Sequence, residues 1–148
     1  MMVENMNIEK IGVNAKIAAS SLAKASSEQK NYALTAMAKN ILADKKDILD
    51  ANKLDIKNSK TKNLSESFID RLELNEERIT AISDTLYEIE SFKDPVGKIL
   101  DSWQRPNGLK ISRVSTPLGV IGIIYESRPN VTADAGALSL KAGNASIL

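Results

Sequence analysis

The stretch Leu118-Gly-Val-Ile-Gly-Ile-Ile-Tyr-Glu-Ser-Arg-Pro-Asn-Val-Thr132, with Ala133 to Leu148 behind it, decides the fold. Leu118 to Ile124 is a continuous run rich in β-branched residues. Such a run suits a strand covered on both faces, as in a parallel sheet. Beyond Pro129 the spacing turns helical: Val131, Ala135, Leu138 and Ala142 share one face, while Ala137 and Leu140 share another. A helix apolar nearly all round is predicted to be buried. Gly143 is a natural helix stop, and Asn144 to Leu148 begins a second strand. Strand, helix, strand is one right-handed βαβ unit, so the fold class is α/β.

The loop inside that unit, Tyr125-Glu-Ser-Arg-Pro-Asn130, carries the only promising chemistry. It leaves the carboxyl end of a predicted parallel strand and enters a helix N-terminus, where ligands of α/β sheets bind. Backbone N–H groups there attract anions, and Arg128 adds a planar charged fork suited to phosphate or carboxylate. The amide of Asn130 is placed to donate to a developing oxyanion. A plainer alternative stands beside this: Asn130 caps the helix and Arg128 pairs with Glu126 at the surface. Gly119-Val-Ile-Gly122 lies within the strand and does not match the dinucleotide fingerprint G-x-G-x-x-G.

Upstream, Asp94-Pro95 marks a change of pattern. Gly97 to Gln104 and Leu109 to Thr116 read as extended segments around Arg105-Pro-Asn-Gly108, and Asn-Gly between such runs is a hairpin signal. Everything before reads as helix. Ile8, Ile11, Ala15, Ala18 and Leu22 form one stripe; Ser26 with Gln29 fits a capping box for a helix burying Leu34, Met37 and Ile41. Asp44 to Lys60 is a more polar helix carrying Ile48, Leu49, Leu54 and Ile56. Asn63-Leu-Ser65 breaks it, and Ser65 caps a short helix with Phe68 and Leu72. Asn75 caps a long helix with the stripe Ile79, Ile82, Leu86 and Ile89. The predicted organisation is a helical region over 1–93, a hairpin over 94–116 and the start of a sheet domain over 117–148.

Composition narrows the chemistry. The 148 residues hold neither Cys nor His. Disulfides, thiolate nucleophiles, the usual Cys/His zinc sites and Ser–His triads are therefore excluded within them, and no metal site is expected. Twenty Lys+Arg against nineteen Asp+Glu give a net charge of +1, without the basic excess of a nucleic-acid binder. The six lysines between Lys45 and Lys62 are interleaved with Asp47, Asp50 and Asp55, as on a solvated helix face. The N-terminus carries Glu4 and Glu9 and lacks an apolar leader core, and Leu118 to Tyr125 is far shorter than the ~20 residues of a membrane helix. A cytoplasmic location is expected.

Pro117-Leu-Gly-Val-Ile-Gly-Ile-Ile-Tyr-Glu-Ser-Arg-Pro-Asn-Val-Thr132 resembles the signature region of the γ-glutamyl phosphate reductase family, within the aldehyde dehydrogenase superfamily. The resemblance runs on through Leu140-Lys-Ala-Gly-Asn-Ala-Ser-Ile-Leu148. It also reaches back through Leu49-Asp-Ala-Asn52, Ile69-Asp-Arg-Leu72 and Asp94-Pro-Val-Gly97. It implies an N-terminal helical region, an oligomerisation-type hairpin and the first βαβ unit of an incomplete Rossmann-like domain. It also implies NADPH-dependent reduction of L-glutamyl 5-phosphate to glutamate 5-semialdehyde, in proline biosynthesis, through a Cys thiolate that attacks the acyl phosphate. Tyr125, Glu126 and Ser127 would line the nicotinamide side, and Arg128 and Asn130 would face the substrate pocket. Matching Asn130 to the Pro-Trp-Asn motif of ordinary aldehyde dehydrogenases requires a gap.

The resemblance covers only an N-terminal portion of the family's length, and the thiolate lies outside it. The expectation is a truncated, reductase-like protein inactive alone. The alternatives are one half of a split enzyme completed by a second chain, or a non-catalytic interaction module that pairs with itself or a partner through the hairpin. Two parallel strands with one crossover make a poor sheet, and Ala145 to Leu148 would expose an apolar edge, so low solubility or partial unfolding of the C-terminal third is expected.

Overall fold

The computed structural model describes residues 7–148. Residues 1–6, including the Glu4 read against a leader segment, lie outside the described residues. In chain order the elements are α1 (Ile8–Leu22), α2 (Ser27–Ala43), α3 (Lys45–Thr61), α4 (Glu66–Leu72) and α5 (Glu76–Ser91), then β1 (Ile99–Gln104), β2 (Lys110–Val114), β3 (Val120–Gly122), α6 (Pro129–Lys141) and β4 (Ala145–Ile147).

The helix starts are set locally. Ser26 Oγ accepts from Gln29 N at 3.1 Å while Gln29 Oε1 accepts from Ser26 N at 2.9 Å, which closes the capping box. Ser65 and Asn75 likewise accept from Phe68 N and Arg78 N. Helix α3 ends where Asn63 turns left-handed at φ 54° and Leu64 N donates to Ser59 O.

The core is a three-helix contact. Leu34 and Ala38 of α2, Ile82, Leu86 and Ile89 of α5 and Ala137 of α6 form one buried cluster. Each fully buried Leu or Ile contributes roughly 1.5–3 kcal/mol, so this seam holds most of the stability. Three expectations need correction. Met37 and Ile41 are only partly buried, and α2 buries Lys30 instead. On α1 only Ala19 is buried, because the helix covers the small β3–β4 sheet rather than the main core. On α3 Leu54 is exposed, while Asn52 and Ser59 are buried.

Asn52 explains that inversion. Its Nδ2 donates to Leu72 O at 2.9 Å and its Oδ1 accepts from Leu74 N at 2.8 Å, so one amide fixes the link between α4 and α5. Asn52→Ala strips both groups of their partner and is expected to lower stability by about 1–3 kcal/mol. A urea midpoint unchanged from that of the parent would refute this role.

Lys30 and Lys141 are buried cations. Lys30 Nζ pairs with Asp94 Oδ2 at 2.5 Å, and Asp94 also accepts from Ser27 Oγ at 2.6 Å and from Val96 N at 2.9 Å. Burial opposes the charge on Asp94, but the hydrogen bonds from Lys30, Ser27 and Val96, with the Lys30 charge, hold its carboxyl below the ordinary value. Lys141 Nζ donates to Asn31 Oδ1 at 2.6 Å and to Glu90 O at 2.7 Å, which ties α6 to α2 and α5.

The hairpin pairs β1 with β2 antiparallel, with Trp103 opposite Ile111. Its strands are shorter than read from sequence, and a tight turn over Arg105 to Gly108 joins them. Gly108 N donates to Arg105 O and Arg105 N to Leu109 O, while Gly108 alone of the turn is left-handed, at φ 86°. Pro106 fixes φ near −65° and excludes the primed turn, leaving a three-residue loop with a glycine bulge.

The βαβ unit is present: β3 pairs parallel with β4, Ile121 opposite Ser146. Cover on both faces is not found. Gly119, Ile121 and Ile123 are partly buried, whereas Leu118 and Ile124 are 87% and 103% exposed, the alternation of a strand covered on one side. Helix α6 is likewise not buried all round: Leu138 is 49% exposed, while Ala137, Ser139 and Lys141 are buried. Helix α6 ends in a Schellman motif: Asn144 N donates to Ser139 O and Gly143 N to Leu140 O, with Gly143 at φ 73°. Asn144 Oδ1 then accepts from Gly119 N at 2.8 Å and stitches the helix end to β3.

Candidate functional site

The loop between β3 and α6 is fixed from both ends. Tyr125 OH and Thr132 Oγ1 share a hydrogen bond of 2.5 Å, tying the loop start to the first turn of α6. Ser127 is left-handed, at φ 47°, which bends the chain before the helix. Arg128 occupies the N-cap without a side-chain cap bond, and Pro129 is the first helical residue, where a missing N–H is harmless. The capping reading of Asn130 is therefore corrected. It sits one residue inside the helix and donates Nδ2 to Asp134 Oδ2 at 3.1 Å. Among the described residues Arg128 makes no ion pair with Glu126 either.

Arg128 and Asn130 line a cleft of about 470 Å³ where the N-terminus of α6 faces the corner between α4 and α5. Asp134 extends this wall; Asp70, Arg71, Glu73 and Arg78 belong to the opposite one. Arg78 is already occupied: its Nη1 donates to Asp70 O and Glu73 O, and its Nη2 to Asp70 Oδ1 at 3.1 Å. Arg71 and Arg128 make no ion pair among the described residues. Asp134 Oδ1 is buried without a hydrogen-bond partner. Tyr125, Glu126 and Ser127 precede the cleft and do not line it.

Asp70, Arg71 and Asp134 escaped the sequence reading. Asp134 had a signal, since it stands four residues after Asn130 on one helix face. The corner residues had none, because only the fold brings α4 opposite α6. Among the described residues no three His, Cys, Asp or Glu side chains gather to hold a metal ion. Gly119 to Gly122 form no glycine-rich cradle for a dinucleotide's phosphates. The N–H of Gly119 is taken by Asn144, and Gly119 to Gly122 pair along β4 rather than turning to cradle a phosphate.

The chain is 62% identical over 138 residues to the γ-glutamyl phosphate reductase of Allorhizobium ampelinum, covering 93% of this chain and 32% of that protein. The Brucella suis reductase is 59% identical over the same length, covering 33% of it. In three dimensions the chain matches the crystal structure of γ-glutamyl phosphate reductase from Thermotoga maritima with TM-score 0.92 at 40% identity, over 94% of this chain and 34% of that one. By sequence and by fold, the chain is homologous to the N-terminal region of γ-glutamyl phosphate reductases. The reductase of Saccharomyces cerevisiae gives TM-score 0.91 at 32% identity. The chain spans about a third of the length of the reductases it matches. No family model matches it. No described helix is long and apolar enough to cross a membrane.

Proposed function

We propose that this chain supplies the substrate-facing N-terminal part of a reductase acting on L-glutamyl 5-phosphate. The observation that carries this reading is the 62% identity to a γ-glutamyl phosphate reductase along 93% of the chain. Arg128 and Asn130 are assigned to the substrate side of the cleft. The Asn130 amide has two N–H groups and spends one on Asp134. The second is free to meet an oxyanion at the reacting carbonyl, without moving the helix. Tyr125, Glu126 and Ser127 are assigned to the side from which the hydride donor approaches.

Two parts of the reaction lie outside these 148 residues. No thiol is present to attack an acyl phosphate. The hydride donor, NADPH in this reading, is bound largely by other residues, since a phosphate cradle is not formed here. Exposed Leu118, Ile124 and Leu148, flanking strands β3 and β4, favour packing against further polypeptide. The hairpin, whose Leu100, Trp103 and Leu109 are exposed, is assigned to contacts between subunits.

The test is reconstitution. The chain is co-expressed with the polypeptide that forms the remaining length of the Allorhizobium reductase. Phosphate-dependent oxidation of glutamate 5-semialdehyde by NADP is then followed. Turnover by the combination, and none by either part, is expected. Turnover by the 148 residues alone, or a folded combination that is inert, would refute the assignment.

A further inference from the structure

We propose that Asn107, at the tip of the β1–β2 hairpin, is a site of spontaneous chemical modification. Its amide converts to a mixture of aspartate and isoaspartate, which makes the hairpin a slow, one-way switch. The inference stands apart from the reductase reading and needs no ligand, cofactor or partner.

The chemistry balances with water alone. The backbone nitrogen of Gly108, having given its proton to hydroxide, attacks Cγ of Asn107. The new N–Cγ bond closes a succinimide ring, the bond from Cγ to Nδ2 breaks, and ammonia leaves with a proton taken from water. A water molecule then opens the ring. Attack at Cγ leaves aspartate; attack at the backbone carbonyl carbon leaves isoaspartate, in which the chain runs through Cβ and Cγ. Water is consumed, ammonia is released, and nothing is oxidised or reduced.

Three observations place this reaction at Asn107. First, a glycine follows it, and no other asparagine of the chain precedes one. Without a Cβ the attacking nitrogen is unhindered. A Cβ built at Gly108 meets nothing within 4 Å, so water and departing ammonia have open access. Second, the tip from Arg105 to Lys110 is exposed throughout. Third, Leu109 N donates to Asn107 Oδ1 at 3.1 Å. Negative charge gathers on that oxygen as the ring closes, and a donor already aimed at it lowers the barrier.

One bond opposes the reaction. Gly108 N donates to Arg105 O at 2.9 Å and must release it before the nitrogen attacks. At an exposed tip such an opening costs little. Asn14, Asn31, Asn40, Asn52, Asn58 and Asn130 lie within helices, where opening the backbone costs more.

Either product adds a negative charge between Arg105 and Lys110. Isoaspartate also lengthens the main chain inside the turn, so the bonds from Gly108 N to Arg105 O and from Arg105 N to Leu109 O cannot both be kept. Behind them the pairs Gln104 with Lys110 and Trp103 with Ile111 loosen, because the turn sets their register. Trp103, the sole tryptophan, reports on the tip.

The test holds the intact chain in mildly alkaline buffer. Trypsin releases residues 99–110 as one peptide, since Arg105 precedes a proline. Mass spectrometry counts amide converted to acid, and labelling by an isoaspartyl methyltransferase separates the two products. Asn107 is expected to convert at least about tenfold faster than any other asparagine, a barrier lower by about 1.4 kcal/mol. Emission from Trp103 is expected to change in step with the isoaspartate fraction. Asn107→Ser, which keeps a side-chain acceptor for Leu109 N, should hold that emission constant. Another asparagine converting as fast, no conversion at Asn107 while the free peptide 99–110 converts fully, or full conversion with unchanged Trp103 emission would overturn the inference. So would a drift of emission in Asn107→Ser equal to that of the parent. The mass comparison needs no variant, so it decides the matter even if Asn107→Ser folds poorly.

Discussion

Gly143→Ala is expected to lower the unfolding free energy by about 2–4 kcal/mol, combining left-handed strain with overpacking. At φ 73° an added Cβ would stand 2.9 Å from Pro117 Cγ and 3.3 Å from Val96 Cγ2. The proline ring cannot swing aside, so the segment leading into β3 must move. Movement there loosens the bond from Gly119 N to Asn144 and the β3–β4 register with it. Gly108→Ala isolates the two contributions. Gly108 is also left-handed, at φ 86°, but an added Cβ meets nothing within 4 Å, so about 1–2 kcal/mol is expected from conformation alone. Urea unfolding of both variants reads the difference; equal losses would mean that the contact with Pro117 is inconsequential.

Asp94→Asn should be nearly as damaging, because it leaves the Lys30 ammonium 2% exposed and without its counter-charge. Removing one partner of a buried pair costs about 3–5 kcal/mol. Partial exposure of Asp94, 15% of its side chain, places the expected loss near the low end, about 3 kcal/mol. The pH dependence has a definite sign. The folded-state pKa of Asp94 is depressed, so its contribution is fully present above the ordinary aspartate value of about 4 and is lost as pH falls through the lower folded value. Stability of the parent should therefore decline on the acid side of about pH 4, and Asp94→Asn should flatten that decline. The double variant Asp94→Asn/Lys30→Met removes the stranded charge and is expected to recover part of the loss. Failure of the double variant to exceed the single one would assign the damage to Ser27 and Val96 instead.

The legible parts of the fold are those set within a few residues. Ser26, Ser65 and Asn75 announce their helices because a cap bonds an amide three positions away. The stripe from Ile79 to Ile89 announces its buried face because the helical period is local. Lys30, Asn52 and Lys141 were not legible, since each is buried by partners 20 to 110 residues distant. The cleft divides the same way. Arg128 and Asn130 followed from a strand running into a helix, whereas Asp70 and Arg71 arrive only when α4 comes to face α6. The strand from Leu118 to Ile124 misled because an apolar run reads alike whether or not something covers its outer side.

The bond from Lys141 to Asn31 spans 110 residues, and it also orders events in time. Helices α2 and α5 are complete by Ser91, so their shared seam can close once Ser91 has left the exit tunnel, while α6 is still inside it. Helix α6 joins a surface already formed, and its lysine docks on acceptors that until then face water. Arrest with Ser91 outside the tunnel and α6 still within it should thus leave a helical pair resistant to protease. Arrest after Lys141 clears the exit tunnel should protect the whole chain, with the cleft the last feature to take shape.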